Sequence, residues 1–126
     1  MLKSLVIVNV CASGAHFLHN AVFLASYPGP HWISNAWMVI ASWFVVVGVL
    51  VVGYLWHRKG HLRKATVAFS FYCLSCFLVF GHYLYGAPSH FDALTNVLIF
   101  GEGLAGAALL IYFLGWASRR PPGAAV

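Results

Sequence analysis

Glu102 is the only charged residue between Asp92 and Arg119, and it stands in the apolar run Val97-Leu98-Ile99-Phe100-Gly101-Glu102-Gly103-Leu104. A carboxylate in such a place costs at least ~2.5 kcal/mol if the run crosses a bilayer, so it has to be protonated, paired with a cation or bound to a metal. Other polar residues in apolar runs fall on helical faces. Asn9, Ser13, His16 and Asn20 follow steps of four, three and four, which at roughly 100° per residue puts them in one stripe about 60° wide, with His19 beside it. Asp92, Thr95, Glu102 and Gly106 share a second face, which Ile99 interrupts. Ser75 and His82 share a third, flanked by Tyr72, Cys76 and Tyr83. The run between residues 36 and 56 offers only Ser42.

Three chemistries suit these residues. A glutamate and a histidine at one depth share a proton, which makes His16, Glu102, Asn20, Asn96 and Tyr83 a candidate ligand site or proton relay. Histidines at i and i+3, with a third histidine and a carboxylate from facing helices, form a mixed nitrogen and oxygen donor set, here His16, His19, His82 and Glu102, suited to a transition metal. Haem b instead needs two axial histidines on different helices, and His19 and His82 fit that role, with Gly81 making room. Gly101, Gly103 and Gly106 remove bulk around Glu102 and let a helix or flat cofactor come close. The plainer reading of Asn9, Ser13, Asn20 and Ser75 is interhelical hydrogen bonding worth ~0.6 to 2 kcal/mol.

The elements that carry these residues are four apolar stretches, at about residues 4–26, 36–56, 65–86 and 91–117. Each reaches the ~20 residues that a helix needs to cross ~30 Å of hydrocarbon. Of 126 residues, 62% are hydrophobic and 7% charged, with a mean hydropathy of +0.85, a composition that a water-soluble domain cannot bury. The expected fold is all-α: a polytopic membrane protein whose single domain, residues 1–126, is a four-transmembrane-helix bundle. The net charge of +5 comes from Lys3, a loop holding Arg58, Lys59, Arg63 and Lys64, and Arg119 and Arg120. With four spans these groups lie on one side, which the positive-inside rule makes the cytoplasm. The basic loop, residues 57–64, therefore reads as a topology signal and a contact for anionic headgroups, not a nucleic-acid site. Both termini are expected in the cytoplasm of a cell whose plasma (inner) membrane holds the chain, with outer loops at residues 27–35 and 87–90. Tyr27, Trp32, Trp37, Tyr83, Tyr85 and Phe91 would mark the outer interface, and Tyr54, Trp56, Tyr112 and Trp116 the inner one. His31 falls in the outer turn Tyr27-Pro28-Gly29-Pro30-His31-Trp32. Ser89 and Asp92 form a capping-box pattern that would start the fourth helix at His90, and Arg119-Arg120-Pro121-Pro122 would stop it.

At ~1.5 Å per residue, His16 and Glu102 both come ~15 Å below the outer surface, near the midplane, with His19, Asn20, Asn96 and His82 above them. This describes a polar track that opens outward between the first, third and fourth helices, with the second as a wall. In size and helix count the chain resembles the small multidrug-resistance exporters, dimers built around an essential membrane glutamate, which would imply proton-coupled transport. Their glutamate lies in the first helix, whereas this chain has His16 and His19 there and its acid in the fourth. The Cys73-Leu74-Ser75-Cys76 spacing resembles the redox pair of membrane quinone-linked thiol oxidoreductases, but the outer-loop cysteines those enzymes use are missing, so the two read as buried thiols. No motif names a reaction. The function expected is an outward-facing His/Glu/Asn site that binds a metal, haem or small ligand or relays protons. A subunit of a larger membrane complex and a small transporter, alone or as a homo-oligomer, are the alternatives.

Overall fold

The computed structural model describes residues 1–117. Its principal elements are α1 (Leu2–Val22), α2 (Ala36–Arg58), α3 (Leu62–Leu78), which tightens into a 3-10 stretch at Val79–Leu84, and α4 (Ala93–Ala117). Short 3-10 turns at Leu24–Ser26 and Pro88–His90 punctuate the connections, and there is no strand among the described residues. Four helices are long and apolar enough to cross a membrane by length and composition, as a multi-pass membrane protein requires. The Arg119 to Pro122 tail lies outside the described residues.

α2 is rich in valine, a modest helix former in water, but in hydrocarbon a helix is the one open-chain form that satisfies its own backbone. Exposed residues such as Leu18, Phe44, Val45, Val67, Leu74, Val97 and Ile111 give the bundle an apolar exterior. On α1 the buried face is Leu2, Val6, Asn9, Ser13, His16 and Asn20. The polar stripe expected from the sequence therefore points inward.

Helix ends differ from expectation where local side chains decide them. α4 begins at Ala93, because Asp92 accepts from the Thr95 backbone N–H and from the Thr95 hydroxyl, both at 2.8 Å. Two carboxylate oxygens make Asp92 the stronger cap, and Pro88–His90 is a separate turn. α1 stops at Val22, four residues early, and α3 starts at Leu62, three residues early. Asn35 caps α2 by accepting from Met38 N at 3.1 Å. Gly60, at φ 80°, makes the tight α2–α3 turn.

α1 packs beside α2 and α4, and α3 beside the same two, so α1 and α3 face each other across the diagonal of a square. At the end holding Lys3 and the Arg58 to Lys64 turn, the interior is apolar: Leu2, Val6, Leu50, Phe69, Leu109 and Phe113 pack together with Ala65 and Tyr72. A smaller cluster of Tyr27, Val79 and Ile99 fills the other end, where the longer loops lie. Between them α3 and α4 come so close at Gly106 that a Cβ there would lie 2.5 Å from Cys76 Cβ.

Candidate functional site

His16 sits in the third quarter of α1 and Glu102 in the first half of α4, and the antiparallel packing of these helices brings His16 Nδ1 to 2.6 Å from Glu102 Oε2. Both residues are 2% exposed. The contact between His16 and Glu102 expected from their matching positions along the helices is therefore formed. The second ring nitrogen, His16 Nε2, is buried with no hydrogen-bond partner in the protein. One turn along α1, Asn20 approaches His82 Nε2 through Nδ2 at 3.4 Å, while its Oδ1 is also buried and unpartnered. His82 Nδ1 lies 3.2 Å from the Pro28 carbonyl. A carbonyl only accepts, so His82 Nδ1 donates to Pro28.

The residue joining these groups is Tyr27. The loop after α1 turns it back into the bundle, 4% exposed, with its ring 5.4 Å from that of His16 and 5.1 Å from that of His82. Its hydroxyl is 2.9 Å from His19 Nδ1. Burial pushes the Tyr27 phenol up to about 12, so it is protonated at neutral pH. Read as a loop aromatic at an interface, Tyr27 carries no sequence signal of this role beyond the Pro28-Gly29-Pro30 turn that follows it.

A cavity of about 290 Å³ lies against this cluster, bordered by His16, Asn20, Tyr27 and His82, by Phe17, Leu24 and Leu78, and by Val39, Ser42 and Val46 of α2. α2 is therefore part of the site, not a plain wall, while α4 reaches it only by holding His16 from behind. Leu24, Gly29, Pro30 and Ile33 cover the loop end of the cavity. The lining residues that remain exposed are Ser42 and Leu78, which places the mouth on the flank between α2 and α3. The expected track between α1, α3 and α4 is replaced by a side opening, because Tyr27 fills the end of the bundle.

No family model matches the chain, and no curated protein or solved structure matches it. The site therefore has to be read from its own residues.

The expected metal set does not assemble. Among the described residues no three of His, Cys, Asp and Glu are grouped to hold a metal ion. His19 stands on the far side of the Tyr27 hydroxyl, and His16 Nδ1 is taken by Glu102. For haem, Tyr27 packs against both proposed axial rings, 5.7 Å from His19 and 5.1 Å from His82, and takes the space that a macrocycle would need. Tyr83 and Asn96 form a separate pair, with the Tyr83 hydroxyl donating to Asn96 Oδ1 at 2.7 Å. Asn96 Nδ2 lies 3.0 Å from the Pro88 carbonyl and 3.3 Å from that of Phe91, so this pair ties down the loop before α4.

Other polar groups are spent on packing. Asn9 Nδ2 donates to the carbonyls of Leu5 and Ala105 at 2.9 and 3.0 Å, and Trp43 Nε1 donates to Ser13 at 3.2 Å. Ser75 donates to the Tyr72 carbonyl. Cys73 and Cys76 are free thiols, at most 1% exposed.

Proposed function

We propose that this small membrane protein binds a small, largely apolar molecule taken from the lipid phase, with the His16–Glu102 pair and Asn20 as the polar end of the site. The observation that carries this reading is a cavity bordered by apolar side chains together with His16 and Asn20, each of which has one buried polar atom without a partner in the protein. Ligand sites are typically apolar clefts with a small number of polar groups, which is the lining seen here. The volume, about 290 Å³, exceeds the ~150 Å³ cavity that holds benzene in an engineered protein. It suits one or two rings, or a short branched chain. A mouth on the α2–α3 flank faces lipid if the helices span a bilayer, which supports entry from the membrane.

The proposed orientation puts Lys3 and the Arg58 to Lys64 turn in the cytoplasm of a cell carrying the chain in its inner membrane. Leu2, Val6, Leu50, Phe69, Leu109 and Phe113 fill the bundle on that side of the pair, which supports a one-sided site over a path for protons or solutes across it.

A small hydrocarbon carrying a diazirine, photolysed with the protein in nanodiscs, tests the site. Saturable labelling should map to Val39, Val46 or Leu78, and Val46→Phe, which fills the cavity, should abolish it while the variant keeps its thermal transition. Labelling spread evenly over lipid-facing residues, unchanged by Val46→Phe, overturns the reading.

A further inference from the structure

The basic end of the bundle lies away from the cavity and takes no part in it. Lys3, Arg58, Lys59, Arg63 and Lys64 gather there, all of them exposed. The chain has two acidic side chains, Asp92 just before α4 and Glu102 within it, and neither reaches this end. Ion pairing among the described residues is confined to His16 with Glu102, so no acidic side chain neutralises any of the five cations.

Their placement is tight. Only Lys59, Gly60 and His61 separate α2 from α3, with Gly60 at φ 80°, so the cations that close α2 and open α3 are confined to one turn instead of spreading along a loop. Arg63 and Lys64 stand in the first turn of α3, which holds no acidic residue. Cations there oppose the helix dipole, whereas Arg58 at the end of α2 agrees with it. Like charges crowded at one end, two of them against a dipole, destabilise the folded chain unless an anion discharges them.

The height of this surface says which anion. Lys64 Nζ lies 5.9 Å from the Trp56 ring, and Tyr54, Trp56, Tyr112 and Trp116, each half-buried, pack against the core at this end. Tryptophan and tyrosine seek the headgroup layer of a bilayer. At ~1.5 Å per residue Lys59 is only about 5 Å beyond Trp56 along α2, which keeps the cations at the level of lipid phosphates. An open cleft of about 210 Å³ is bordered by Gly60, His61, Leu62, Arg63 and Lys64. That is several times the ~30 Å³ of a water molecule in the liquid, so the cleft admits a phosphate group.

We propose that this end of the bundle is a binding surface for anionic phospholipid, with one lipid phosphate held at the α2–α3 turn. The proposal is independent of the ligand cavity and rests only on the helices spanning a bilayer. A zwitterionic lipid brings its own cation and leaves the surface charged. A nucleic acid needs cations that reach beyond the headgroup layer.

Thermal melts of the protein in neutral detergent at low ionic strength, titrated with phosphatidylglycerol or phosphatidylcholine, test this. Phosphatidylglycerol should raise the melting temperature saturably, and phosphatidylcholine should not. Each cation near anionic lipid contributes about fivefold to affinity, so Arg63→Gln combined with Lys64→Gln should shift half-saturation about 25-fold upward. Arg63→Lys combined with Lys64→Arg should leave it in place. Without lipid the glutamine variant should melt at or above the native protein, since it bears less repulsion. Equal stabilisation by the two lipids, an unchanged half-saturation in the glutamine variant, or a lower melting temperature for that variant without lipid overturns the proposal. So does stabilisation by inorganic phosphate or polyuridylate RNA that matches phosphatidylglycerol, which would assign the surface to a free anion or to nucleic acid.

Discussion

The His16–Glu102 contact is the residue on which the interior depends, because each partner answers the other's polarity at 2.6 Å with almost no solvent. Removing one partner leaves the other buried and uncompensated, which typically costs ~3 to 5 kcal/mol. Both His16→Ala and Glu102→Ala should show losses of that size in detergent unfolding. The double variant should lose much less than their sum, and additive losses would show that the two side chains act independently. Their pairing was legible in the sequence because helical rise converts residue number into depth. Tyr27 was not. A tyrosine at the end of an apolar run is the ordinary interfacial residue, and only the return of the Pro28-Gly29-Pro30 loop, a tertiary event, carries it back to His16, His19 and His82. The absence of a metal grouping among the described residues has the same reason: spacing along α1 brings His16 and His19 near in angle, but nothing in the spacing says that a tyrosine packs against both rings.

At the scale of elements, α4 shows how its start and its path are set by different residues. Hydrogen bonds from Thr95 to Asp92 hold that exposed carboxyl below its usual value. A carboxyl lowered on folding stabilises the fold at pH values above its unfolded pKa of ~3.9, and loses that contribution as the pH falls through its folded value. The melting temperature of the native protein should therefore fall relative to that of Asp92→Asn as the pH drops below about 4. A constant difference between the two across that range would remove Asp92 from the account. Ser89 was the more conventional cap by pattern, and lost because a carboxylate satisfies two donors of Thr95 at once. Further along α4, glycine serves two purposes. Gly101 has open space where a Cβ would be, and Gly106 has Cys76 at 2.5 Å. In thermal melts Gly101→Ala should be neutral or gain up to ~1 kcal/mol, whereas Gly106→Ala should lose ~1 to 3 kcal/mol by forcing α3 and α4 apart. Similar shifts for the two would mean that helix propensity alone governs both.

For the whole molecule, four long apolar helices, the inward stripe on α1 and the gathering of Lys3 with the Arg58 to Lys64 cations at one end were all readable, since apolar run length and charge position do not depend on how helices pack. The ring order was not readable. It places α1 and α3 on a diagonal, brings α2 into the cavity, and turns an expected end-on track into a side opening. The proposed orientation gives a direct expectation. With Cys11, Cys73 and Cys76 replaced, Lys59→Cys should react with a membrane-impermeant maleimide only after cells are opened, and Ser89→Cys in intact cells. The reverse pattern would invert the bundle and place the capped end of α4 in the cytoplasm.

The partnership of the first helix with the last also bears on how the chain is made. If the helices enter a bilayer in chain order, α1 arrives carrying Asn9, Ser13, His16 and Asn20, and α2 soon supplies Trp43 to Ser13. His16, however, waits for Glu102, 86 residues later in the chain, and Asn9 for the carbonyl of Ala105. Until α4 arrives, the earliest helix holds unsatisfied polar groups in lipid, the condition under which membrane segments remain mobile and recognisable as unfinished. The polar groups of α1 are thus satisfied only once α4 is in place. Nascent chains ending before residue 102 should turn over rapidly, and chains reaching past Ala105 should persist.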